Sequence, residues 1–442
     1  MLYKLPATMQ KKNTPQWPKG VGSIPAVLPD GTSIMVPVYS GVNYLTIGTT
    51  GTGKTSSFTE PAAKLLLDSD PRMKAAFFEV KTSFLDHFLE SGDKVITHNP
   101  KAVPKGNLFV PAIVKEILQA KDKEAEMRDI ADFLFSDLLE GAGQNMAWID
   151  AARDAFIGIL RTIVDLYPER NTGNWTLIHA LRRMSTEEIL AYISKHPRNA
   201  SMLRKNFNYD PVYPENYVPN RRSTDIMFFL NQVLESFSGA FDMDGEDTIR
   251  DWLDGKYGRN LFFFYDLSAA EIGRPFFLYY MKKIKDHCLS NSIEHGTPIL
   301  MVLDELDKMS DGGQAADWGL FQAANLSRAC GLQLLLTTQS VENLRGLSPD
   351  YKESIVTGGL AGFPITVAFR PGDPTTLNTL QRLYGSEYRE HLMMPMSRYT
   401  APVVQSELQP IVTDAEFASL DTGEAYIKIM NHRPQKVKFV HK

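Results

Sequence analysis

Gly48, Gly51, Gly53, Lys54 and Thr55 stand at the spacing G-x-x-x-x-G-K-[ST], inside the stretch YLTIGTTGTGKTSSF. Each residue type has a task at that spacing. Glycines let backbone N–H groups turn toward an anion with no Cβ in the way. Lys54 would place a point charge on the β- and γ-phosphates of ATP, and the Thr55 hydroxyl would ligate Mg²⁺. Thr49, Thr50, Thr52 and Ser56 complete the loop. Ahead of it, Tyr44 to Ile47 is apolar and rich in residues that suit a buried strand. Residues 56–67 predict a helix whose positive end faces the anion.

A phosphate loop alone hydrolyses nothing. It needs an acid to hold the hydrated metal and a group to orient water. ILMVLDEL runs from five apolar residues into Asp304 and Glu305. Neighbouring side chains at the carboxyl end of a strand point to different parts of one cleft. Asp304 is therefore expected to hold the metal shell, and Glu305 to act as general base for the attacking water. LQLLLTTQS leads out of another apolar run to Gln339, an amide able to sense a γ-phosphate or hold the lytic water. Arg328, on the helix expected just before that run, reads either as a surface ion-pair partner or as an arginine finger for a neighbouring subunit.

The elements that must position these residues follow from the rest of the chain. Its 442 residues have room for two or three domains, and 43% hydrophobic with 22% charged residues is ordinary for a soluble globular protein. A net charge of -5 excludes a wholly basic nucleic-acid-coating protein but permits a local basic patch. Lys4, Lys11, Lys12 and Lys19 all precede the first acid, Asp30, and read as a solvated tail. Cys288 and Cys330 are far apart and in no C-x-x-C pair, which speaks against a disulfide framework or zinc site and suits a reducing cytosol. Lys4 and Pro6 interrupt any signal-peptide core, and no stretch approaches 18 consecutive apolar residues.

Residues 1–30, rich in Lys and Pro at their start, are expected to be a flexible segment. Residues 31–109 read as the first part of a nucleotide-binding domain, in which 31–48 form a hairpin running into the loop strand, and KAAFFEVKT and KVITHNP are strands. Residues 110–235 repeat apolar positions at helical spacing and predict an inserted all-α domain, with NFNYDPVYPENYVPNRR as a loop within it. Residues 236–442 return to alternating strands and helices. The fold class is α/β, with a mostly parallel central sheet interrupted by the helical insertion.

In chain order, GTTGTGKT, TEP, FFEVKT, WIDAARDAFIGIL, LMVLDELDKM, SRACGLQLLLTTQSVENL and TDAEFASLDTGEAYIKIMNHRPQKVKFV resemble the type IV coupling proteins, the TraG/TraD-type conjugative ATPases of type IV secretion. The resemblance covers nearly all of the chain after about residue 31. Where the family has Asp-Pro-Lys-Gly, this chain has Glu79-Val80-Lys81-Thr82, and Asn343 stands where a second Gln is usual. Family members usually begin with transmembrane helices, and none is legible here. Either the chain docks on a separate membrane or secretion-channel protein, or an anchor was left out; the opening Met1 favours a natural start.

The resemblance implies a RecA-like P-loop motor working as a homo-hexamer, with ATP at subunit interfaces. It implies Gln339 as phosphate sensor and Arg328 as the finger acting on a neighbour. It further implies DNA, or a relaxase or effector protein, as cargo driven through a central channel, with the helical part recruiting it. The expected location is the cytoplasm, at the cytoplasmic face of the inner membrane. Three other readings stay open: a coupling ATPase for protein effectors, a nucleotide-gated scaffold with little turnover, and a small-molecule kinase.

Overall fold

The computed structural model describes residues 15–166, 174–267, 270–290, 296–310, 318–345, 359–393 and 403–440. The strands are β1 (Gly22–Val27), β2 (Ser33–Val38), β3 (Tyr44–Ile47), β4 (Lys74–Glu79), β5 (Lys94–Ile96) and β6 (Asn260–Phe264). They continue with β7 (Ile299–Asp304), β8 (Leu332–Thr338), β9 (Ile365–Ala368), β10 (Ser386–Met393), β11 (Val403–Pro410), β12 (Glu424–Ile429) and β13 (Gln435–Phe439). The chain divides into two compact units. Unit 1 takes residues up to Pro71, Leu335–Glu342 and Leu360–Lys442; unit 2 takes Arg72–Leu334 and Asn343–Gly359.

In unit 1 the strand order is β2-β1-β13-β12-β9-β3-β8. β3 runs parallel to both β8 and β9, whereas β9, β12, β13, β1 and β2 alternate antiparallel. Every residue of β3, β8 and β9 is buried, as a central strand covered on both faces requires. The expected hairpin of residues 31–48 is corrected here. β2 does form a hairpin, but backward with β1, pairing Val27 with Ser33 through Gly22 with Val38. β3 instead takes partners roughly three hundred residues downstream. β1 also puts the start of regular structure inside the stretch expected to be flexible, because Ile24 and Ala26 alternate into the core; residues 1–14 lie outside the described residues.

The helix expected over 56–67 is built in two parts, with helical turns from Lys54 but regular α-helix only from Glu60. A wide turn spans Lys54–Thr59, and the α-helix Glu60–Ser69 follows. Pro61 accounts for the widening. Its ring lacks an N–H and crowds the carbonyl four residues back, so the turn before it opens, and the Glu60 N–H donates to the Thr55 carbonyl five residues behind. β10 and β11 form a separate two-stranded ribbon that the sequence reading did not anticipate.

In unit 2 the strand order is β7-β4-β6-β5, all parallel. Phe77 and Phe262 stack across β4 and β6 with centroids 5.0 Å apart, and Phe77 also stacks on Phe84 at 5.4 Å. Such pairs add about 0.5–1.5 kcal/mol each beyond their buried area. The helices between Ile113 and Ser236 belong to this unit. Helix Met146–Leu166 is their centre, and Arg161 ties it to both Glu124 oxygens at 2.7 Å and to Asn199 Oδ1 at 2.6 Å. The loop expected over 206–222 begins where Asn208 turns left-handed and ends where Asn220 caps helix Arg221–Ser236.

Candidate nucleotide site

Unit 1 builds a phosphate loop from the end of β3. The Gly48 N–H donates to the Thr338 carbonyl at 3.3 Å, and the Thr49 N–H to the Arg370 carbonyl at 2.9 Å, so the loop's entry hangs between β8 and the chain leaving β9. The Thr52 hydroxyl donates to the Thr49 carbonyl at 2.7 Å, which closes the bend. Gly51 and Gly53 have φ of 78° and 92°, a region costly for any residue with a Cβ. A Cβ on Gly53 would also lie 2.6 Å from Ser57 Oγ, whereas one on Gly51 would meet nothing within 4 Å. The space beside the loop's middle is open. Lys54 is only 6% exposed, and its Nζ reaches back across the loop to the Thr49 carbonyl at 3.0 Å. Buried as it is, this ammonium calls for anionic or carbonyl oxygens around it. These features fit a nucleotide phosphate chain, and Thr55, half-buried at the helix start, is placed to ligate its metal.

Gln339 belongs to the same unit. Ile47 pairs with Thr338, so Gly48 and Gln339 leave their parallel strands at the same level. The turn after Gln339 is fixed by Thr376, whose Oγ1 accepts the Val341 N–H at 2.9 Å and lies 3.1 Å from Ser340 Oγ. Thr376 is itself held by Asp373, which caps helix Pro374–Tyr384.

Asp304, Glu305 and Arg328 lie in unit 2. Asp304 ends β7 and is buried. Glu305 follows with φ of 53°, left-handed backbone that is uncommon outside glycine and concentrates at functional sites. Arg328 sits in the single helical turn Ser327–Ala329 after helix Leu320–Leu326.

Two further residues join the acidic pair, both from the end of β4. Phe78 pairs with Leu303, which puts Glu79 level with Asp304. Glu79 is 1% exposed, and its two oxygens accept the N–H groups of Phe84 and Leu85 at 2.8 and 2.9 Å. Burial pushes its carboxyl up to about 8; the two N–H groups oppose this and the nearby Asp304 adds to it. Lys81 donates from Nζ to Glu305 Oε1 at 3.1 Å. The sequence signal for both was an acid and a base two residues apart after the apolar run of FFEVKT, to which no role had been assigned. Among the described residues no group of three or more His, Cys, Asp or Glu side chains is placed to hold a metal ion.

The family model described as the type IV secretion-system coupling protein DNA-binding domain matches residues 34–439. The chain belongs to this family. Its fold is similar to that of the bacterial conjugative coupling protein TrwBdeltaN70 (TM-score 0.67, 18% identity, 91% of this chain and 86% of that one). It is also similar to TrwB in complex with ADP and Mg²⁺ (TM-score 0.66, 18% identity, 91% and 86%). VirB4 of Thermoanaerobacter pseudethanolicus is similar over 96% of this chain and 98% of its own, at TM-score 0.56 and 14% identity. Among curated proteins, none matches. The RecA-like α/β reading of the sequence is thus the fold of the family, and among the described residues no helix is long and apolar enough to cross a membrane.

Proposed function

We propose that the chain is an ATP-hydrolysing motor of the coupling-protein class that recruits and moves DNA for conjugative transfer. The observation that carries this reading is the glycine-formed loop with its buried Lys54, at the carboxyl end of a strand flanked by two parallel partners, in a chain of the coupling-protein DNA-binding family. The nucleotide-bound forms of the similar TrwB structure support ATP and Mg²⁺ as its ligands.

The roles follow from the chemistry of the side chains. Backbone N–H groups of residues 50–56 and the Lys54 ammonium hold the phosphates, with Thr49 fixing the loop through its bonds to Arg370 and Lys54. Thr55 would ligate Mg²⁺ and Asp304 would hold its hydration shell, and the metal would supply charge neutralisation for the phosphates. Glu305 takes a proton from the attacking water, and Gln339 orients that water or reports the γ-phosphate. Arg328 serves the nucleotide of a neighbouring subunit, in a homo-hexameric ring. The helical segment 110–235 recruits the cargo, and a separate membrane or secretion-channel protein brings the assembly to the cytoplasmic face of the inner membrane.

The test is ATP turnover of the purified chain with and without single- and double-stranded DNA. DNA-stimulated turnover is expected. Turnover indifferent to DNA would transfer the reading to protein cargo, and binding without turnover would leave a nucleotide-gated scaffold.

A further inference from the structure

The loop from β4 to helix Ser83–Phe88 is more tightly fixed than its exposed position requires. Glu79 takes the N–H groups of Phe84 and Leu85, the Thr82 hydroxyl donates to Asp86 Oδ2 at 3.0 Å, and the Asp86 N–H donates to the Thr82 carbonyl at 2.8 Å. The backbone that carries Lys81 is thereby held at both ends. The Lys81 side chain, by contrast, is 65% exposed. From this fixed base it reaches Glu305, 13% exposed, and donates to Oε1 at 3.1 Å. The other end of the pair is also set by backbone: Glu305 is left-handed, and its carbonyl accepts the Lys308 N–H at 2.9 Å.

A carboxylate oxygen that accepts from an ammonium gives a lone pair to it, and the pair holds the carboxylate turned toward that ammonium and lowers its readiness to take a proton from water. We propose that Lys81 is a positioning residue that parks the Glu305 carboxylate, so that turnover in the absence of DNA is braked until the Lys81–Glu305 pair opens. The inference rests on Glu305 being the general base. Nothing in the motif assigns such a role to Lys81. The pair is suited to a brake because it is weak: one partner is largely in solvent, where an ion pair is easily exchanged for water. A DNA phosphate offers the exposed ammonium an alternative acceptor.

The experiment measures DNA-free ATP turnover and nucleotide affinity of the full chain carrying Lys81→Ala, Lys81→Arg, Glu305→Gln and the double change Lys81→Ala/Glu305→Gln. Lys81→Ala should raise kcat about two- to fivefold, the factor carried by an ion pair with one exposed partner, with nucleotide affinity unchanged. Lys81→Arg keeps a cation at the end of a long stem and should return turnover to the wild-type level. The double variant should be as slow as Glu305→Gln alone, since the gain must run through Glu305. Unchanged or lower turnover in Lys81→Ala, or a gain that survives in the double variant, would overturn the brake. Wild-type turnover in Glu305→Gln would instead remove Glu305 as the base, a failure of the reading beneath, visible whatever Lys81→Ala does.

Discussion

The two units treat charge in opposite ways. Unit 1 prepares positive surroundings for a negative group: turned backbone N–H groups, a helix start and a buried ammonium, with hardly a carboxylate in the loop's own sequence. Where unit 1 does bury part of a carboxylate, it supplies donors. Burial pushes Asp373 and Glu424 upward, but the Thr376 donors for the first and Lys436 with the Asp421 N–H for the second hold them below their ordinary values. Unit 2 is uneven: against the upward push of burial, Lys256, Lys115 and Gln119 hold Asp251 down at about 2, but two other buried acids are less well compensated. Burial pushes Glu79 and Glu116 up to about 8, with Lys283 opposing it at Glu116 and Glu126 adding to it. One unit is built to receive negative charge. In the other, buried acids favour a proton or a cation.

The sharpest break of this comparison is Lys54→Ala. The loop would lose its one fixed cationic side chain, and ATP binding, followed by calorimetry, should be abolished. Unchanged affinity would mean that backbone donors suffice and that unit 1 needs no ammonium. Next is Arg328→Ala, which should bind ATP almost normally yet lose roughly 10³-fold of turnover, the scale of arginine-finger losses. Mixing decides whether the finger acts on a neighbour: Arg328→Ala retains a sound phosphate loop, Lys54→Ala retains a sound finger, and together they should recover activity that neither shows alone. Mixtures that stay inactive would make Arg328 a structural residue.

The smallest effect concerns stability. Glu116 is buried and accepts the Ile249 N–H at 3.1 Å. Its folded value of about 8 lies above that of an unfolded chain, so the folded state holds its proton longer as pH rises. Its contribution is present below about pH 4.5 and is lost progressively as pH rises to about 8. Thermal unfolding should therefore show unit 2 weaker at pH 9 than at pH 5, and Glu116→Gln, which keeps an acceptor for Ile249, should flatten that slope. An unaltered slope would place the pH sensitivity elsewhere.

What could be read ahead of the structure was local. The phosphate loop, Asp304-Glu305 and Gln339 each end an apolar run, and a run of four to seven buried residues with a polar end announces itself in a few residues. Strand partnership does not. Residues 33–38 form a good strand next to either neighbour, and only the buried faces of β8 and β9, far along the chain, decide that β3 goes to them. The β10–β11 ribbon was missed for a related reason: Ser386, Tyr388 and Glu390 face solvent, so its exposed face shows no apolar alternation. Glu79 was overlooked because its significance is burial, which an acid at a strand end does not advertise.

The position of β3 has a consequence for the newborn chain. Its Tyr44 to Ile47 leave the ribosome well ahead of their partners, for both strands that flank them are made roughly three hundred residues later. At about 5–20 residues per second, that is a wait of roughly 15–60 s. Through that interval GTTGTGKT is complete as a sequence but has no sheet to hang from, while everything that forms unit 2 up to Leu334 has already emerged. A nascent chain can thus settle its acids before it can grip a nucleotide, and a chain broken off before β8 carries the whole motif with no means of using it.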